Sequence, residues 1–166
     1  MIIVSACLVG FNCRYDYKSN SHPLLEQEMA RGTLLPVCPE QLGGLPTPRI
    51  PSEIKGGTAS SLLAEQDRPL EEKTVLVVNR AGKNVTEQFL QGAREVARLA
   101  QVYGVKAAIL KARSPSCGLG QVYDGSFTHR LVTGNGVTAE LLHQHGVRIV
   151  TEEEINPELL AELKTL

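Results

Sequence analysis

Met1-Ile-Ile-Val-Ser-Ala-Cys7 opens the chain, and its plan, a short apolar run leading to a cysteine, returns at Thr33-Leu-Leu-Pro-Val-Cys38 and at Val105-Lys-Ala-Ala-Ile-Leu-Lys-Ala-Arg-Ser-Pro-Ser-Cys117. Short β-branched runs without polar alternation read as strands buried in a parallel sheet. If the three are neighbours, their cysteines leave the sheet at one edge, where open α/β sheets place their ligands.

The segments between them complete the pattern. Pro23 in a first helical turn, followed by Leu24, Leu25, Glu26, Met29 and Ala30, predicts a helix closed by Gly32. Val75 to Val78 reads as a further strand. Thr86 is the expected N-cap of a helix carrying Phe89, Ala93, Val96, Ala97 and Ala100 up to Gly104. Gly134-Asn-Gly136 precedes a short helix that stops at Gly146, then comes a strand over 147–150. Thr151 with Glu154 forms a capping box for a last helix through Leu160 and Leu163. The expected fold is a single α/β domain over 1–166, three-layered and Rossmann-like, with a mostly parallel sheet of about five strands and helices on both faces. Residues 38–53, with four prolines and Gly43-Gly44, exclude a helix or central strand, and because the segment starts on Cys38 and contains Glu40, Arg49 and Glu53 it reads as an active-site wall. Residues 55–73 read as a polar surface excursion.

Composition narrows the function. With 166 residues, 42% hydrophobic and 21% charged, the chain is globular. A net charge of −1 gives no electrostatic case for nucleic acid, and the absence of Trp disfavours base stacking. The apolar N-terminal run breaks at Cys7 and Gly10, so neither a signal peptide nor a membrane span is drawn, and a cytoplasmic location is expected. In that reducing compartment the four cysteines read as ligands, nucleophiles or core residues rather than disulfides.

Cys7, Cys38 and Cys117 are far apart in sequence and form no C-x-x-C pair, which disfavours a structural zinc site. Two readings stand side by side. Thiols at strand ends are often core residues; three at analogous positions would also hold an iron–sulfur cluster with one iron open to substrate. Cys13 reads better as packing or a free thiol. Glu40, two residues beyond Cys38, suits acid–base work, and Ser114 and Ser116 flank Pro115 just before Cys117. Arg14, Asp16 and Arg49 either hold a substrate's polar edge or lock loops together.

Taken together, Ser5-Ala-Cys7-Leu, Cys13-Arg-Tyr-Asp16, Pro36-Val-Cys-Pro-Glu40, Gly43-Gly-Leu-Pro-Thr-Pro-Arg49 and Leu110-Lys-Ala-Arg-Ser-Pro-Ser-Cys-Gly118 resemble the thiouracil desulfidase family over nearly the whole chain. The chain departs from the family's pattern at Tyr17, where the Arg-Tyr-Asp motif ordinarily continues with glycine. The resemblance implies a [4Fe-4S] cluster on Cys7, Cys38 and Cys117, with the thio group of 2-thiouracil at the remaining iron. It further implies non-redox release of uracil, with Glu40 moving protons and Ser114 or Ser116 positioning a small thiobase. Two alternatives remain at this point: a cluster-free hydrolase with Cys117 as nucleophile, and a non-catalytic metal- or sulfur-handling protein.

Overall fold

The computed structural model describes residues 1–166. In chain order the elements are β1 (Ile2–Ser5), α1 (Pro23–Ala30), β2 (Leu34–Val37), α2 (Pro39–Leu42), β3 (Ser52–Lys55), α3 (Ala59–Ala64), β4 (Leu76–Asn79), α4 (Thr86–Val102), β5 (Ala107–Leu110), β6 (Gln121–Tyr123), β7 (Leu131–Thr133), α5 (Val137–Gln144), β8 (Arg148–Thr151) and α6 (Pro157–Leu163). The central sheet has the order β2-β1-β5-β8 and is parallel throughout.

Every residue of β1 and of β5 is buried, as befits strands covered on both faces. Ile2, Val4, Ala107 and Ile109 pack with Leu25 of α1 and Leu160 and Leu163 of α6. Ile3, Ala108 and Leu110 pack the other way, with Val96 and Ala100 of α4 and Leu142 of α5. The period of two thus feeds two cores and makes three layers. Pro36, which has no amide to donate, is tolerated because β2 is an edge strand.

The sheet has four strands rather than about five. Residues 76–79 pair antiparallel with β3, Ile54 opposite Val77, outside the central sheet. The reason lies in burial: β4 alternates between half-buried and buried residues, the habit of a ribbon with one covered face. Its partner β3 is polar and sits just after Pro51. A third core joins this ribbon to α3 and α4 through Ile54, Leu62, Val77 and Phe89, so residues 55–73 are more than a surface excursion. Within that stretch Lys73 is buried, and its ammonium donates to the carbonyls of Glu65, Gln66 and Arg68 just after α3. The wall at 38–53 contains a helical turn after all. Pro39 occupies the first position of α2, where the missing amide has no intrahelical use.

Two cap assignments shift. Val85 caps α4, while the Thr86 hydroxyl accepts from the Val77 amide at 2.9 Å and fastens the helix to β4. Glu154 accepts from both the amide and the hydroxyl of Thr151, closing a turn, and α6 is capped by Asn156 instead. The β6-β7 hairpin was not foreseen from the sequence. Tyr17, at the glycine position of the family motif, takes φ 59°, the left-handed conformation that glycine adopts at least cost.

Helices α2 and α4 meet through glycine. A Cβ on Gly43 would lie 1.9 Å from the Gln88 carbonyl oxygen, and one on Gly92 would lie 1.9 Å from that of Pro39. Both obstacles are backbone, so neither can be relieved by a rotamer change. Gly43→Ala and Gly92→Ala are each expected to cost about 1–3 kcal/mol or more, lowering the melting temperature by roughly 2–4 °C per kcal/mol. Unchanged melting curves would contradict this close approach.

The buried Glu28 carboxylate is held by Lys164 at 3.0 Å, by Thr33 and by Arg31, joining α1 to the C-terminal helix. Lys164 is the main reason that its carboxyl sits below the usual carboxylate range, against the opposing effect of burial. A depressed carboxylate stabilises the fold above its unfolded pKa of about 4.3, and the contribution is lost as pH falls through the lower folded value. The melting temperature is therefore expected to decline below about pH 4, and Glu28→Gln should melt lower at neutral pH yet lose less on acidification.

Candidate active site

A cavity of about 300 Å³ opens at the C-terminal ends of β1, β2 and β5. All four cysteines line it, each a free thiol. Cys38 follows β2 directly and caps α2. Cys7 lies in the 3-10 turn Ala6–Val9 that continues β1, a turn ended by Gly10 at φ 93°. Cys117 is reached by the loop after β5. With strands about 4.8 Å apart, the order β2-β1-β5 lays the three ligand candidates along one sheet edge.

The Cys117 loop is set by α5. Backbone amides of Val137 and Thr138 donate to the carbonyls of Pro115 and Ser116 at 2.9 and 2.8 Å. Gly136 allows this contact, since a Cβ there would fall 2.4 Å from the Ser116 carbonyl carbon. Inside the loop the Ser114 hydroxyl accepts from the amides of Ser116 and Cys117, so it shapes the turn. From the β1 end, Ser5 Oγ accepts the Lys111 amide at 2.9 Å.

Cys13 belongs to the same wall, its backbone carbonyl accepting from Cys38 Sγ at 3.7 Å. Its thiol is raised to about 11: the Cys38 contact pulls it down, while the Cys7 contact and burial push it up. Cys38 is raised mainly by the Cys13 contact and then by burial, and burial pushes Cys117 up to about 12. Without a bound cation these sulfurs are protonated at neutral pH.

Glu40 lies beside them with both oxygens engaged. Oε2 is paired with the Arg49 guanidinium, and Oε1 accepts from the buried Ser116 hydroxyl at 3.1 Å. Arg49 also donates to the Cys13 carbonyl at 3.0 Å and to Thr47, so its donors hold the wall together. Arg14 lines the cavity while forming a two-pronged pair with Asp16, 3.1 Å for each contact. Cys7, Cys38, Cys117, Glu40, Ser114, Arg14 and Arg49 therefore meet at one cavity, whereas Asp16 and Ser116 support it from behind. Sequence reasoning passed over Lys111, which lines the cavity and is paired with Glu152, although it stands within the Leu110-Lys-Ala-Arg motif. It also passed over Arg80, Tyr123, Phe127 and His129, which lie on segments that carry no recognisable signature.

The donor set suits a soft metal centre. Thiolates select iron–sulfur clusters among the biological metal groups. No three His, Cys, Asp or Glu side chains close around a single point, as ligands of one ion must; thiolates that each take a different iron have no such requirement.

Fold and site together define a class: an α/β protein that gathers thiols from three parallel strand ends around one cavity, next to a carboxylate clasped by arginine. The 2-thiouracil desulfurase family model matches residues 2–154. Protein YbbK of Bacillus subtilis (strain 168), itself uncharacterized, is 40% identical over 156 residues, 94% of this chain and 98% of that one. The structure of the [4Fe-4S]-dependent thiouracil desulfidase TudS matches with a TM-score of 0.80 and 38% identity, covering 99% of this chain and 98% of its own. The chain belongs to the 2-thiouracil desulfurase family.

Proposed function

We propose that residues 1–166 form one desulfidase domain that converts a thiolated pyrimidine, 2-thiouracil in the first instance, to uracil without net electron transfer, using a [4Fe-4S] cluster held by Cys7, Cys38 and Cys117. The single observation that carries this reading is the meeting of those thiols at one cavity beside Glu40. Family membership and the cofactor and activity stated for TudS support it. Once bound, such a cluster supplies an iron without a protein ligand, a Lewis acid with strong affinity for sulfur.

The rest is the work of the chain itself. Glu40 accepts a proton from the water that attacks the thiocarbonyl carbon, at Oε1, where the Ser116 hydroxyl already donates, and returns it to the departing sulfur as the carbon–sulfur bond breaks, so that thiobase and water give uracil and sulfide. Arg49 keeps that carboxylate facing the thiols, and Ser114 holds the turn that presents Cys117. Arg14, aligned by Asp16, offers its positive charge to the polar edge of the base. A hydrolase using Cys117 as nucleophile is disfavoured, because burial keeps that thiol protonated where a reactive cysteine needs a lowered pKa. No helix is long and apolar enough to cross a membrane, and the free thiols suit a reducing cytoplasm. The partner is a small thiobase rather than a nucleic acid.

Anaerobic reconstitution tests the proposal. Broad visible absorption with about four irons per chain, together with sulfide and uracil formed from 2-thiouracil, is the expected result. Full iron loading without sulfide release from any thiobase would refute it.

A further inference from the structure

Glu53 takes no part in the chemistry above, yet it lines the same cavity from β3 and is only 8% exposed. Its Oε2 accepts the backbone amides of Gly125 at 2.8 Å and Phe127 at 3.0 Å, and these are the only hydrogen bonds its side chain makes within the protein. No cation pairs with it. Oε1 makes no hydrogen bond within the protein, so this cavity-lining carboxylate has acceptor capacity unused.

The loop it holds is 124–130, between β6 and β7. A Cβ on Gly125 would fall 2.7 Å from the Ile54 carbonyl oxygen, so the loop is seated directly on β3. Phe127 and His129 take φ values of 58° and 62°, conformations costly for such side chains, so the loop's shape is imposed by its attachments. Both residues line the cavity. A buried carboxylate with one oxygen clamped and the other free is a fixed acceptor, and a thiolated pyrimidine carries ring N–H donors beside its thiocarbonyl carbon.

We propose that Glu53 is a substrate-recognition residue: Oε1 accepts a ring N–H of the thiobase, while Oε2 fixes the 124–130 loop as the opposite wall. It selects bases that carry an N–H at the position facing it over bases alkylated there. This deepens the desulfidase reading and rests on it for the identity of the ligand.

The test is calorimetric titration of the reconstituted protein with 2-thiouracil, 1-methyl-2-thiouracil and 3-methyl-2-thiouracil. In the wild type, one methylated base should bind about 10- to 100-fold more weakly than the parent, the loss expected for one hydrogen bond to a charged acceptor. Glu53→Gln keeps a carbonyl for the loop amides but turns a donor toward the base. It should lose the same factor on 2-thiouracil and no longer distinguish the methylated analogue, with iron content unchanged. Glu53→Ala should in addition hasten tryptic cleavage after Arg130, a readout that needs no activity, whereas Glu53→Gln leaves the cleavage rate near wild type. Equal affinity of wild type and Glu53→Gln, or no binding to wild type, overturns the recognition role; unchanged proteolysis of Glu53→Ala overturns the clamp. Sulfide release by the wild type, measured separately, reports on the desulfidase reading alone.

Discussion

Cys7→Ser, Cys38→Ser and Cys117→Ser are each expected to lower desulfuration to background and to reduce bound iron, whereas Cys13→Ser keeps most of both. The three ligand candidates come from the ends of three adjacent strands, so none can replace another without moving the sheet. Serine oxygen is a poor substitute for a thiolate toward iron–sulfur centres. Cys13 differs in how it is tied in. Its backbone carbonyl accepts from Cys38 Sγ at 3.7 Å and from Arg49 at 3.0 Å, and both contacts survive replacement of the side chain. Iron analysis and a sulfide assay on the four variants decide the matter; equal losses at Cys13 would overturn the assignment of ligands.

Glu40→Gln is expected to load iron normally and to turn over about 100-fold more slowly or worse, the range for a lost acid–base group. The amide is nearly the size of the carboxylate and keeps one oxygen for Arg49 and one polar end for Ser116, so the wall at 38–53 stays in place. What disappears is the capacity to take up a proton. Turnover at the wild-type rate would remove Glu40 from the mechanism, and a parallel loss of iron would make it a support of the thiols instead. Steady-state kinetics beside iron content separates these outcomes.

The parallel core was legible because its strands share one signal, short apolar runs without polar alternation, and β1 and β5 are buried along their whole length. Residues 75–78 carry it equally well, yet they pair with Ser52–Lys55, a segment whose polar residues hide a strand. Hydrophobic runs announce burial; they do not say which partner provides it. The candidate site was readable where motifs cluster, at Cys38 with Glu40 and at Ser114 to Cys117. Glu53 falls within the segment read as a wall, but the 124–130 loop that it holds was not readable, since it is fastened through the amides of Gly125 and Phe127, and main-chain donors leave no trace in side-chain identity. The two caps failed for a related reason. Thr86 carries a suitable group, but the Val77 amide claims it; Thr151 and Glu154 do pair with each other, yet they close a turn, and the helix begins only after Asn156.

The strand order β2-β1-β5 also bears on biogenesis. The first residue pair of the floor, Cys7 and Cys38, emerges early from the ribosome, but β1 must wait for β5 to slide in beside it before the third sulfur arrives. A nascent chain halted before residue 117 lacks the third of these sulfurs, so the thiol set is complete only once β1 has β2 on one side and β5 on the other.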